Sequence, residues 1–404
     1  MVFHLARRDL WAAAALSALC LAATVATAAE SGAIFEAVSG PRGGVNLCAT
    51  TALSAPPPAP LAVKGELDIA YWLVRVNEAS RRRNYIGTFV VWSSDGSMAS
   101  SRIWHACEGD VQMERVDSLS GSPRTTLRRN DQVLTFMPES KLARAERRES
   151  LDLFPNVLQS SVSTVADFYV ARYAGAERVA GFDADVVVLQ PKDALRYGYR
   201  IWAEKRTQLV IKLQTLDTDN RVLEQSAFSE LELDAPVRTD KLAQMMDNTS
   251  GYKVERFEQQ KVSVSQEGWT LKVPVTGFQL TSCVKRPNAG NSLGSSIGPA
   301  GAASPGNVVA PSASPSTAVL SGSAPPGGVQ PATTLQCIFS DGLATVSLFV
   351  EPFDAQRHSQ EAELAMGATQ TLTQRIARDW WLTAVGEVPP RTLKSFAQNL
   401  VRRK

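Results

Sequence analysis

Three histidines and five cysteines in 404 residues leave little material for metal or nucleophilic chemistry. His105 and His358 lie far apart in the chain, and no HExxH or CxxC spacing exists, so no metal centre is expected. Gly294-Ser295-Ser296-Ile297-Gly298 has the form of a G-x-S-x-G nucleophile elbow. An elbow needs a strand before it and a helix after it, whereas here Ala, Gly, Ser and Pro surround it. Glu230 and Glu232 alternate along one strand-like stretch and read as solvated charges. His105, in the stretch IWHAC, reads as a core or rim histidine. These residues predict a protein that is not an enzyme and holds no cofactor or metal.

What remains is surface and cavity chemistry. Between Arg124 and Arg148 stand seven basic residues against three acids, Asp131, Glu139 and Glu146. Arg124, Arg128 and Arg129 are therefore candidates to rim a site for an anionic group, and Phe89, Trp104, Phe136 and Trp202 to line an apolar cavity beside it. An ordinary solvated face over a closed core is the competing reading. The whole chain carries 42 Lys and Arg against 40 Asp and Glu, which excludes a broadly basic nucleic-acid binder.

The elements that must position these residues follow from periodicity. Arg7 and Arg8, the apolar run WAAAALSALCLAATVA and Ala26-Thr27-Ala28 form a secretory leader cleaved after Ala28, with an uncleaved anchor as the alternative. Residues 29–64, rich in Ala and Pro, read as a disordered tether. Ile69, Trp72, Leu73, Val76 and Ala79 recur at helical spacing. Strand-like stretches follow at 85–92, 100–107, 111–119, 124–129 and 132–137, then a helix over 161–172. Further strands come at 184–191, 197–204, 209–217 and 221–233. Connections this short predict an antiparallel meander over 65–236 that curls around an apolar hollow. Residues 237–262 read as a connector and 263–404 as a smaller second domain ending in an amphipathic helix. Within it, 287–334 carries 48 residues with neither a charge nor an aromatic, a composition that cannot build a core and predicts a disordered insertion. The expected fold class is α+β.

Export fixes how the cysteines are read. Cys20 leaves with the leader, and the others meet an oxidising compartment. Cys283 and Cys337 flank the insertion in strand-like sequence and are a disulfide candidate, with two buried thiols as the alternative. The pairing of Cys48 with Cys107 is left open.

Several stretches resemble the RseB/MucB family of periplasmic sigma-E regulators. They are YWLVRVNEASRRRNYIGTFVVW (71–92), RVDSLSGSPRTTLRRNDQV (115–133), VPVTGFQL (273–280), FSDGLATVSLFVEP (339–352) and WLTAVGEVPP (381–390). The resemblance implies an N-terminal LolA/LppX-like unclosed antiparallel β-barrel with helices, and a smaller C-terminal α/β domain of antiparallel sheet and helix. It implies a periplasmic negative regulator that binds the periplasmic domain of a membrane anti-sigma factor, RseA- or MucA-like, and shields it from proteolysis. Lipid, lipopolysaccharide or misfolded envelope components would release it, and a homodimer or higher oligomer stays open. Phe278, Ser340, Asp341 and Gly342 are the expected partner-facing residues, although Gly342 also suits a plain turn. The alternative is a periplasmic lipid or lipoprotein carrier without an anti-sigma partner.

Overall fold

Short strands rich in β-branched and aromatic residues, separated by tight turns, make up most of the described chain. The computed structural model describes residues 68–148, 151, 153–158, 164–256, 260–287, 333–358 and 360–403. The expected leader and tether, Cys20, Cys48, the 294–298 motif and nearly all of the 287–334 segment lie outside the described residues.

Helix α1 (Ile69–Arg82) starts where the Asp68 carboxylate accepts the Tyr71 backbone N–H at 3.1 Å. Its apolar face, Ile69, Trp72, Leu73, Val76 and Ala79, is buried. Strands β1 (Tyr85–Ser93), β2 (Met98–Glu108), β3 (Val111–Ser118), β4 (Thr125–Arg129), β5 (Gln132–Met137) and β6 (Leu142–Arg147) form one meander. The short helix α2 (Val165–Phe168) precedes a second meander of β7 (Tyr169–Val179), β8 (Phe182–Pro191), β9 (Gly198–Glu204), β10 (Val210–Leu216) and β11 (Val222–Leu233). The two join where β1 pairs antiparallel with β11. Helix α3 (Thr239–Asp247) and β12 (Lys253–Arg256) follow, and β12 adds parallel to β6. The result is a 12-stranded sheet with β12 at one edge and β7 at the other, unclosed among the described residues.

The concave face is filled rather than hollow. Helix α1 and the segment carrying Leu151, Phe154 and Val157 pack into it. Phe89, Phe154 and Phe228 meet there with ring centroids 4.9–6.3 Å apart. Gly87 is required by that packing, because a Cβ on it would stand 2.5 Å from the Phe228 ring.

One expectation needs correction. The helix expected over 161–172 is helical only at Val165–Phe168 among its described residues; from Tyr169 the chain is strand. Pairing with β8 along most of β7 overrides a short apolar periodicity. The polar stretch 237–262 holds α3 and β12. Leu242 and Met246 of α3 pack on Met113, Leu127, Leu134 and Phe136 and cover the convex face of the first meander.

The second sheet is smaller. Its strands are β13 (Gln260–Lys261), β15 (Gln279–Pro287), β16 (Thr333–Ser340), β17 (Thr345–Pro352), β18 (Ala362–Met366), β19 (Thr369–Ile376) and β20 (Trp380–Gly386), and β14 (Trp269–Leu271) pairs separately with β21 (Leu400–Arg402). The order is β13-β15-β16-β17-β20-β19-β18. Helix α4 (Pro390–Asn399) opens with proline in its first turn and seats Phe396 against Phe278 and Phe339. Cys283 and Cys337 stand directly opposite on β15 and β16, Cα atoms 4.1 Å apart, joined by a disulfide. No described helix is long and apolar enough to cross a membrane.

Candidate functional site

The two sheets meet at a seam built by exchange, and all described residues lie within one compact unit. The loop between β8 and β9 carries Leu195, which packs against the core of the second sheet. The turn between β16 and β17 carries Leu343, which is buried in the core of the first. Each domain therefore inserts one leucine into the other. The Thr392 hydroxyl of α4 donates to the Leu195 carbonyl at 2.7 Å and fixes the loop.

Arg196 is the polar centre of this exchange, with no exposed surface. Its Nε donates to the Asp341 carboxylate at 2.7 Å, and Nη2 donates to the Thr276 carbonyl at 2.7 Å. Nη1 pairs with Asp193. The guanidinium lies 4.2 Å from the Phe168 ring centroid and 4.9 Å from that of Phe278. Gly277, at φ 82°, borders this group; a Cβ there would run into Arg196 Nη2 and the Phe168 ring.

Asp341 completes the arrangement from the second sheet. One carboxylate oxygen accepts the Leu343 and Ala344 N–H groups at 3.0 and 2.8 Å, which shapes the turn. The other accepts from Arg196 and from the Tyr169 hydroxyl at 3.1 Å. Burial, with the nearby Asp341 charge adding to it, holds the Tyr169 and Tyr199 hydroxyls protonated well above the usual phenol range. A buried pair bonded on every side is expensive to break and geometrically demanding, so it defines one docking angle for the two domains.

Beside this clasp lies a cavity of about 80 Å³ lined by Phe154, Val157, Tyr199, Leu213, Leu343, Glu224 and Glu387, among others. Cavities that hold small ligands run to about 300–1,000 Å³. This gap, as the described residues enclose it, is too small for an acyl chain.

A second buried polar network sits inside the first sheet. His105 Nδ1 donates to the Arg83 carbonyl at 2.6 Å, and Nε2 accepts from the Gln112 amide at 2.9 Å, so the ring is neutral. Burial pushes its pKa down. Glu114 pairs with Arg128 at 2.7 Å; burial raises this carboxyl, but neighbouring positive charge, that of Arg128 foremost, outweighs it and holds the group below the usual range. This network joins the end of α1 to β2, β3 and β4 and is structural.

The residues singled out in the sequence fall in different places. Phe278, Ser340, Asp341 and Gly342 do come together, but at the seam and buried rather than on an open surface. Gly342, at φ 108°, is a turn residue whose N–H donates to the Ser340 hydroxyl at 3.0 Å. The cavity set does not assemble. Strand register puts Phe89 on the concave face and Trp104, Phe136 and Trp202 on the convex one. Trp104 is half-buried with the guanidinium groups of Arg102 and Arg115 over its ring, Phe136 packs on Tyr252, and Trp202 donates to Glu177 at 2.8 Å. The rim set also divides. Arg124 is exposed, Arg129 reaches Asp247 at 3.5 Å, and Arg128 is buried in the His105 network, where it meets no solvent anion. Sequence reasoning missed Arg196, because its partner is 145 positions away and no local pattern marks it.

Comparison with known proteins fits this architecture. Residues 68–246 match the MucB/RseB N-terminal domain and residues 319–401 the MucB/RseB C-terminal domain. The sigma factor AlgU regulatory protein MucB of Pseudomonas aeruginosa is 26% identical over 338 residues, covering 82% of this chain and 90% of that protein. The sigma-E factor regulatory protein RseB of Escherichia coli K12 is 22% identical over 329 residues, covering 81% and 89%. The structure of the Pseudomonas aeruginosa MucA/MucB complex superposes with a TM-score of 0.57 at 25% identity, over 83% of this chain and 99% of that one. With both domains matched in order around the seam, the chain belongs to the MucB/RseB family.

Proposed function

We propose that this protein is a periplasmic negative regulator of a sigma-E-type envelope stress response, acting by binding the periplasmic part of a membrane-anchored anti-sigma factor. The observation that carries this reading is the match of both domains, in order, to a family whose MucB member forms a complex with MucA. Binding would hide the anti-sigma segment from its initiating protease by occlusion, a task that needs a defined surface and no catalytic group. The fixed angle set by Arg196 and Asp341 supplies such a surface, because any segment touching both domains reads their relative placement.

Release requires a ligand that prefers another arrangement of the domains; one that binds both arrangements equally shifts nothing. An amphiphile entering the first sheet would have to displace α1 or the Phe154 segment from the concave face, and that displacement is the differential contact. The test is co-elution of the exported chain with the cognate anti-sigma periplasmic domain on size exclusion, with protection of that domain from its protease. Co-elution with protection is expected. Absence of any complex, with acyl species bound in native mass spectra, would favour a lipid or lipoprotein carrier instead.

A further inference from the structure

Glu224 and Glu387 face one another across the seam cavity, one from each sheet. Glu224 stands on the concave side of β11, opposite Ser93 of β1 and Thr215 of β10. Glu387 follows β20 at the approach to α4. Both line the same cavity of about 80 Å³, and the Glu387 charge acts on Glu224. Neither forms an ion pair with a basic residue among the described residues. The groups around them are polar or acidic: Ser93, Thr215, Ser226, Asn156, the Tyr199 hydroxyl, and the Asp95 charge beyond β1. The nearby cation, Arg196, is already committed to Asp341 and Asp193. Two acids thus meet in a confined gap between domains, with no base to balance them. Like charges so placed cannot both ionise cheaply.

We propose that Glu224 and Glu387 form a proton-operated latch: the seam is closed while the pair retains protons and loosens when both carboxylates are charged. Burial, then the Glu387 and Asp95 charges, push the Glu224 carboxyl up to about 8, and burial raises Glu387. The direction follows by linkage. When the seam opens, both groups reach water and return toward 4.5, the ordinary glutamate value. Below that value both states are protonated and closure is undiminished. As pH rises from there toward 8, only the closed state must keep its protons, so closure weakens progressively. Leu343 lines the same cavity, so loosening acts directly on the leucine exchange that joins the domains. The consequence for gripping an anti-sigma segment rests on the reading above; the latch itself does not need a partner.

The experiment uses the full chain alone. Hydrogen exchange of the Leu343 and Ala344 amides, which donate to Asp341, is compared at pH 6.0 and pH 8.5 after correction for intrinsic rates. Protection is expected to fall on the order of tenfold at the higher pH in the native chain, and to stay nearly constant in the Glu224→Gln/Glu387→Gln double variant, whose amides mimic the protonated acids. Equal pH dependence in the two proteins would overturn the latch. A second measurement needs no variant: the Glu224 side-chain carbon, followed by NMR, titrates above pH 7 if the latch exists. Titration near the ordinary glutamate value would dismiss it. Neither measurement involves the anti-sigma domain, so failure here leaves the partner reading intact, and failure of co-elution leaves the latch intact.

Discussion

Arg196 shows how much one side chain can carry when burial removes its alternatives. Outside water its charge is tolerated only because Asp341, Asp193, the Thr276 carbonyl and two aromatic faces surround it. Arg196→Ala strips the principal cation from Asp341 and leaves a buried carboxylate with only two backbone N–H groups and the Tyr169 hydroxyl. The expected loss is about 3–5 kcal/mol of unfolding free energy, read by urea denaturation. Arg196→Met combined with Asp341→Asn, which removes both charges together, is expected to recover a substantial part of it. Asp341 itself was legible as a residue of interest in the motif FSDGLATVSLFVEP. Its role was not, because an exposed turn and a buried clasp have the same local sequence.

Among the elements, strands were easier to read than the short segments between them. The runs at 85–92, 100–107 and 132–137 carry β-branched and aromatic residues between turn signals, and they are strands β1, β2 and β5. The strands β7, β12 and β18 were not legible. Each is an edge or near-solvent element in its sheet, so it lacks the buried face that writes alternation into sequence. The β15–β16 pair makes a prediction at this scale. Its disulfide closes a chain separation of 54 residues, which restricts the unfolded chain. A tryptic map without reductant is expected to show the Cys283 and Cys337 peptides linked. Cys283→Ser/Cys337→Ser should lower the stability of the second sheet by about 2–4 kcal/mol, measured by denaturation under non-reducing conditions.

For the whole molecule, the exchange of Leu195 and Leu343 makes the two domains interdependent. Removing one leucine at the junction loosens their relative placement without touching either sheet's hydrogen bonding. Leu343→Ala deletes a buried contact in the first core, for which about 2–5 kcal/mol is usual. Its expected effect is a weaker complex with the anti-sigma periplasmic domain while each sheet's strand content, seen by circular dichroism, is retained. Titration calorimetry of native and variant chains measures it. An unchanged affinity would mean that the partner reads a single domain.

Sequence alone determined the antiparallel meander of the first sheet, the amphipathic first and last helices, and the family resemblance. Each is written in local periodicity or in short runs that the chain carries whether folded or not. It also placed Cys283 and Cys337 on adjoining strands, since the insertion that separates them returns the chain to its start. Tertiary structure alone decided that the first sheet is filled by α1 and the Phe154 segment, because alternation reports which side is buried and is silent about what buries it. The same holds for the junction. Arg196 with Asp341, and Glu224 with Glu387, acquire their chemistry only when two distant parts of the chain exclude water between them, and no spacing in the sequence encodes that distance.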